Sequence, residues 1–273
     1  MPAPGDAAPP RPRSPFFPQV PATRRDAAVW LVLALIGFAL GELVAGVVVD
    51  VVAGIEGQGG HLGRIQALAA PPEWYIVSGL VGLWVGFFTA PWLASRVRGT
   101  GSLLRDVGLR FARADVLGIL IGVGGQALVT VVYAPFISHL HNFNAPTTKL
   151  TGGSHGGGFV VIAVLTVLAA PFFEELFFRG LLLRALLRFL NPSGRTEGVA
   201  RAAGLVGAVV LDGLLFGLAH GEMEQLAGLA LFGIILAVVA FRTQRLGMNM
   251  VAHASFNLVA VLAIVHDGGA LIR

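Results

Sequence analysis

Seven stretches of this chain, 27–49, 74–95, 116–137, 159–183, 202–219, 226–241 and 248–265, stay apolar for close to the roughly 20 residues that a helix needs to cross a bilayer. In lipid no water meets exposed backbone groups, so only helices and closed barrels survive there. A spanning strand alternates polar and apolar residues, and none of the seven stretches does. The expected fold is therefore all-α, a polytopic transmembrane helical bundle of about seven spans. Composition agrees: with 55% hydrophobic and only 12% charged residues in 273, too few charges remain to coat a water-soluble domain.

The arginines carry a second message. With the N-terminus inside, the internal segments hold Arg11, Arg13, Arg24 and Arg25, then Arg96, Arg98, Arg105, Arg110 and Arg113, then Arg184, Arg188, Arg195 and Arg201, then Arg242 and Arg245. The external ones hold Arg64, Lys149 and Arg273. That asymmetry predicts a cytosolic N-terminus and an external C-terminus. It also accounts for a pI near 10.6 without nucleic acid as a partner. The absence of cysteine removes thiolate nucleophiles, disulfides and cysteine-based zinc sites.

Residues 1–26 are rich in proline and arginine and read as a disordered cytosolic tail with no cleavable signal. Residues 27–114 hold the first two spans and a cytosolic connector. In that connector Leu103, Leu104, Val107 and Phe111 share one helical face and Arg105, Asp106, Arg110 and Arg113 the other, which predicts a helix lying in the membrane plane. Residues 115–265 hold the remaining spans, and 266–273 form a short tail. His139, His141 and His155 fall in the long external loop, where a solvated loop is the better expectation than a metal site.

Three charges interrupt the fourth stretch: Glu174, Glu175 and Arg179. A charge at mid-membrane costs at least about 2.5–3.5 kcal/mol on insertion scales, so three within six residues point to a site. Four residues apart on a helix, Glu175 and Arg179 share a face, with the glutamate N-terminal, the favourable order for an ion pair. Glu174 projects about 100° away and is free to handle a proton as a general base. A purely structural Glu–Arg cluster is the alternative. Pro171, just upstream, removes an amide and is expected to free the Val167 carbonyl and kink the helix.

The fifth stretch ends in Phe216-Gly-Leu-Ala-His220, with the phenylalanine one turn before the histidine and placed to shield its ring. The last opens with His253-Ala-Ser-Phe-Asn257, two polar side chains on one face that can donate to the same developing charge or, alternatively, bond two helices. A carboxylate, two imidazoles and a carboxamide suffice for hydrolysis of an amide by water: a base, a proton shuttle and donors for an oxyanion.

Glu174-Glu175-x-x-x-Arg179, Phe216-x-x-x-His220 and His253-x-x-x-Asn257, in this order on successive hydrophobic segments, resemble the CPBP family of intramembrane proteases. This family comprises the CAAX prenyl endopeptidases and bacteriocin-processing (Abi) proteins. The resemblance covers roughly residues 115–265 and implies that Glu174 activates water together with His220. It implies an oxyanion site at His253 and Asn257, with Glu175, Arg179 and Phe216 in support. The substrate implied is a membrane-associated peptide or protein, and the setting is a bilayer, here the plasma membrane of a bacterium. His220, His253 and Glu174 also make a possible two-histidine, one-carboxylate zinc set, although a metal-independent glutamate mechanism is favoured. The alternative functions are a proton- or ion-coupled transporter and a non-proteolytic scaffold.

One tension accompanies this reading. Measured from Arg184 and Arg245, Glu174 and Asn257 lie about 15–18 Å deep, whereas His220 lies about 28 Å from Arg201. His220 meets Glu174 only if the fifth helix starts well out in the cytosol, or tilts steeply and ends at Gly221 inside the membrane. Glu222 and Glu224 are expected to be solvated or to cap the next helix. Asp212, Glu42 and Asp50 receive no role beyond hydrogen bonding inside the bundle or in water-filled crevices.

Overall fold

The computed structural model describes residues 20–135, 154, 156–191 and 198–268. The loop histidines 139, 141 and 155, most of the N-terminal arm, and Lys149, Arg195 and Arg273 lie outside the described residues. Among those described there is no strand, and seven helices are long and apolar enough to cross a membrane. They are α1 (Arg24–Ile55), α2 (Glu73–Arg98), α3 (Arg113–Tyr133), α4 (Gly156–Leu190), α5 (Val199–Ala219), α6 (Leu226–Thr243) and α7 (Gly247–Gly268). The protein is an integral, multi-pass membrane protein.

α1 starts earlier than its apolar stretch because Thr23 caps it. The Thr23 hydroxyl accepts the Asp26 amide at 3.1 Å and the Asp26 carboxylate reaches back to the Thr23 amide at 3.1 Å, a reciprocal capping box. The helix also continues past residue 49, since Asp50 faces outward and breaks no packing. Glu42 is likewise exposed, not in the bundle interior as expected, because Ala34, Gly37 and Gly41 form the inner face of α1 against α2. At 32 residues, α1 is about 48 Å long against a hydrocarbon core of about 30 Å, so its last turns lie outside lipid.

The connector after α2 departs from the amphipathic expectation. Its helix is only Leu103–Val107 and closes at Gly108, whose φ of 73° is left-handed. Asp106 is buried and accepts the Ser95 hydroxyl at 2.6 Å, the Thr100 amide at 2.8 Å and the Thr100 hydroxyl at 2.6 Å. Satisfying the end of α2 turns Asp106 inward and Val107 into a small core with Leu176, Leu246 and Met250, while Leu104 and Phe111 stay exposed. The charge and apolar faces of an in-plane helix are not formed.

The main core lies between α1, α2, the second half of α4 and α5, around Trp30, Trp84, Phe87, Phe177, Phe178 and Phe216. α4 is the element on which the site depends, and it is not a uniform α-helix. Two turns are π-helical, Leu165–Ala169 and Leu176–Leu182, flanking the short α segment Ala170–Glu175. Such insertions change which residues share a face and leave backbone groups looking for partners. α5 and α6 form an antiparallel pair that touches at glycine. A Cβ on Gly233 would lie 2.9 Å from both the Cα and the carbonyl oxygen of Gly213, so only glycine permits this approach.

Candidate active site

The site is assembled around Glu175. It is fully buried, and its carboxylate accepts Arg179 Nη1 at 3.1 Å, His253 Nδ1 at 2.9 Å and Asn249 Nδ2 at 3.3 Å. Arg179 sits one turn on, as its spacing predicts, and its guanidinium also reaches two other helices. Nη2 donates to the Gly233 carbonyl of α6 at 2.9 Å, and Nε lies 3.4 Å from the Asp212 carboxylate of α5. Asn249 also donates to the Leu236 carbonyl at 2.7 Å. A single acidic side chain thus ties α4, α6 and α7 together, directly and through Arg179 and Asn249. Its burial is tolerable because the charge is both paired and hydrogen-bonded.

These partners fix a proton on His253. A carboxylate only accepts, so the Nδ1 facing Glu175 carries the hydrogen and Nε2 turns outward. His220 is fixed by a different device. Gly221 adopts φ 68°, a left-handed conformation open to glycine, and ends α5 there. As the helix closes, the His220 amide bonds the Gly217 carbonyl, leaving the Phe216 carbonyl without its usual backbone partner. The His220 ring fills the vacancy: Nδ1 lies 2.8 Å from the Phe216 oxygen, so it donates, and Nε2 again points away.

Both Nε2 atoms face one oxygen of Glu174. Glu174 Oε2 lies 3.7 Å from His253 Nε2 and 4.0 Å from His220 Nε2, with the glutamate side chain 15% exposed. Adjacent in sequence, the two glutamates are separated in role as their helical positions predict: Glu175 faces the interior, and Glu174 faces the two rings. Phe216 holds the center. Its ring, fully buried, has the Arg179 guanidinium 4.4 Å from its centroid and the rings of His220 and His253 at 4.8 and 5.5 Å.

The depth tension is thereby resolved for His220. His220 does reach Glu174, while Arg184 and Arg188 bond the Gln244 carbonyl at 3.1 Å and the Pro21 carbonyl at 3.0 Å. α4 continues to Leu190, which places Glu174 about 24 Å from that end, against about 31 Å for His220 along α5.

Asn257 is placed beside α4 but is partly committed. Its Nδ2 donates to the Thr166 carbonyl at 2.8 Å. The reason lies in the π turn. The Ala170 amide bonds the Leu165 carbonyl, so in the same register the Thr166 carbonyl would need an amide from residue 171. That residue is proline. In this register the Thr166 carbonyl is left without a backbone amide, and Asn257 fills it with one of its two N–H groups.

Two members of the array, Asp212 and Asn249, carried no signal in the pairwise spacing of the three motifs. Each extends a motif by one turn: Asp212, Phe216 and His220 recur every four residues on α5, as Asn249, His253 and Asn257 do on α7. Glu222 and Glu224 lie in the turn that follows His220, ahead of α6. As for zinc, two ligands on one tetrahedral ion at about 2.0–2.1 Å would sit about 3.3 Å apart. The Glu174–histidine separations are longer, and among the described residues no group of three such side chains is arranged to hold a metal ion.

Residues 156–259 match the family model described as Rce1-like, type II CAAX prenyl endopeptidase. The matched segment runs from the first residue of α4 into α7 and contains every residue of the array just described. No curated protein and no solved structure matches the chain. Over that segment, 104 of the 273 residues, the chain is similar to the Rce1-like CAAX endopeptidases of the CPBP (Abi) family.

Proposed function

We propose that this protein is an intramembrane endopeptidase that hydrolyses a peptide bond of a membrane-associated substrate with water activated at Glu174. The observation that carries the reading is the convergence of His220 Nε2 and His253 Nε2 on Glu174 Oε2, at 4.0 and 3.7 Å. These gaps are too long for direct hydrogen bonds and suit groups that share a water or a substrate atom. Both Nδ1 positions are already occupied as donors, so both Nε2 atoms are available for chemistry.

In this mechanism Glu174 takes a proton from water as the water oxygen bonds to the scissile carbonyl carbon. His220 Nε2 accepts a hydrogen bond from the same water and aligns it. The carbonyl oxygen, now negative, is met by His253 and by the N–H of Asn257 that Thr166 does not use. To donate at Nε2, His253 must carry both ring protons, and Glu175 and Glu174 flank it on either side to balance that charge. Collapse of the tetrahedral intermediate breaks the C–N bond, and the proton held by Glu174 goes to the leaving amine.

The substrate class that the family description names is the prenylated CAAX terminus, and we take it as the first to test. Purified protein in liposomes is offered a farnesylated CAAX peptide, its unprenylated counterpart and, separately, the membrane proteome of cells carrying intact or Glu174→Gln protein. Cleavage by intact protein and its loss in Glu174→Gln, with equal folded protein, is the expected result. Equal cleavage by the two proteins overturns the assignment.

A further inference from the structure

Asp212 is fully buried, and neither of its carboxylate oxygens receives a hydrogen bond among the described residues. Such an acid is costly where an apolar side chain would serve a helix interface. Its neighbour is Arg179 Nε, at 3.4 Å. The other end of the same guanidinium is committed to Glu175 through Nη1 at 3.1 Å and to the Gly233 carbonyl through Nη2 at 2.9 Å. Glu175 in turn holds Nδ1 of His253 at 2.9 Å.

We propose that Asp212 is a positioning residue: it holds the Nε edge of Arg179 so that Nη1 is presented to Glu175, and Glu175 keeps the proton of His253 on Nδ1 with Nε2 toward Glu174. The guanidinium is planar, so a partner on one edge sets where the opposite edge points. Rotation of Arg179 is opposed on three sides, by Asp212 on α5, Gly233 on α6 and the Phe216 ring, whose centroid is 4.4 Å from Cζ. Without Asp212 the guanidinium keeps one carboxylate and turns toward it end-on. The Glu175 oxygen shared by Arg179 and His253 then shifts, and the ring can give up its Nδ1 proton, losing the doubly protonated form that the oxyanion step uses. Asp212 touches no reacting atom, and its effect travels through Arg179 and Glu175.

This inference rests on the proposed hydrolysis only for its effect on rate, and the test separates the two. The protein is labelled with 15N-histidine in liposomes, and the His253 signals are assigned by difference from His253→Gln. In intact protein and in Glu174→Gln, Nδ1 of His253 is expected to be protonated throughout. Asp212→Asn keeps the shape and removes the charge, and Asp212→Ala removes the side chain. Arg179 retains Glu175 as counter-ion in both, so the fold persists, and this is read independently from the dispersion of the other histidine signals. Each variant is expected to show a second His253 population with Nδ1 bare. On a cleaved peptide, kcat falls roughly 10–100-fold with KM little changed, the range seen when an outer-shell partner of a functional histidine is removed. Asp212→Glu, which retains the carboxylate, recovers part of both. An unchanged Nδ1 signal in Asp212→Ala overturns the proposal, whatever the activity. If Glu174→Gln proves as active as intact protein, the hydrolytic reading falls while the Nδ1 signal still decides the role of Asp212.

Discussion

At the scale of residues, burial separates the side chains packed beneath the site from the glutamate proposed to work in it. Glu175 and Arg179 are an ion pair with no exposed side-chain surface, extended to Asp212, whereas Glu174 is 15% exposed and, among the described residues, makes no hydrogen bond through Oε2. Arg179→Ala strands two buried acids, and the expected cost is about 3–5 kcal/mol, seen as loss of assembled protein or a markedly lower Tm in detergent. Glu174→Gln is expected to leave stability within about 0.5 kcal/mol of the parent, and Tm nearly unchanged, as for a change that breaks no buried bond. Near-identical Tm losses for the two variants would contradict this division. The pairwise spacing of Glu175 and Arg179 announced their contact. Asp212 escaped because a single acid on a helix says nothing about which neighbour it faces.

At the scale of elements, two helix irregularities make the site. The π turn before Pro171 leaves the Thr166 carbonyl to Asn257. Asn257→Ala is expected to lose about 1–3 kcal/mol by orphaning that carbonyl. If the proposed oxyanion role holds, it also loses roughly 100–1,000-fold in kcat. Pro171→Ala supplies the missing amide, so in the double variant stability is expected to recover while kcat does not. A double-mutant cycle on Tm and kcat checks both halves, and additive Tm losses would refute the π-register account.

The second irregularity is the stop at Gly221. Gly221→Ala forces a Cβ into a left-handed residue at a cost of about 1–2 kcal/mol, and the refolded end is expected to release His220 from the Phe216 carbonyl. A backbone change that leaves His220 in the sequence is then predicted to lower kcat as His220→Ala does. An unaltered kcat in Gly221→Ala would show that the ring needs no such anchor. Neither device is visible in hydrophobic periodicity, since a π turn differs from an α turn by a single register step. Pro171 marked the place but not the Thr166–Asn257 contact, and the end of α5 at Gly221 was foreseen only as one of two ways to bring His220 within reach.

At the scale of the whole molecule, the seven apolar stretches correspond one to one with seven helices, and the three motifs meet although they lie on α4, α5 and α7. Arginine placement predicts a cytosolic N-terminus, which is testable because the chain has no cysteine of its own. A single cysteine at Arg105 is expected to react with a membrane-impermeant maleimide only in inside-out vesicles, and one at Gln58 only in right-side-out vesicles. The reverse pattern would invert the topology. Metal dependence is decided on the same preparation: with proton transfer carried by Glu174 and the histidines, cleavage is expected to survive a strong chelator, and loss restored by zinc would replace that mechanism.

The sequence by itself determined that the chain is a helical membrane bundle and pointed to most of the side chains that meet at the candidate site, because both follow from short-range rules: about twenty apolar residues span a bilayer, and residues four apart share a helix face. It also placed Glu174 and Glu175 on different faces. Only the tertiary structure decided which atoms face which. That Glu175 sets the His253 proton, that Asn257 answers Thr166, and that Asp212 and Asn249 belong to the same array are facts about distances between helices. Those distances depend on glycine contacts, register steps and helix ends, where one residue of offset turns a side chain to another partner.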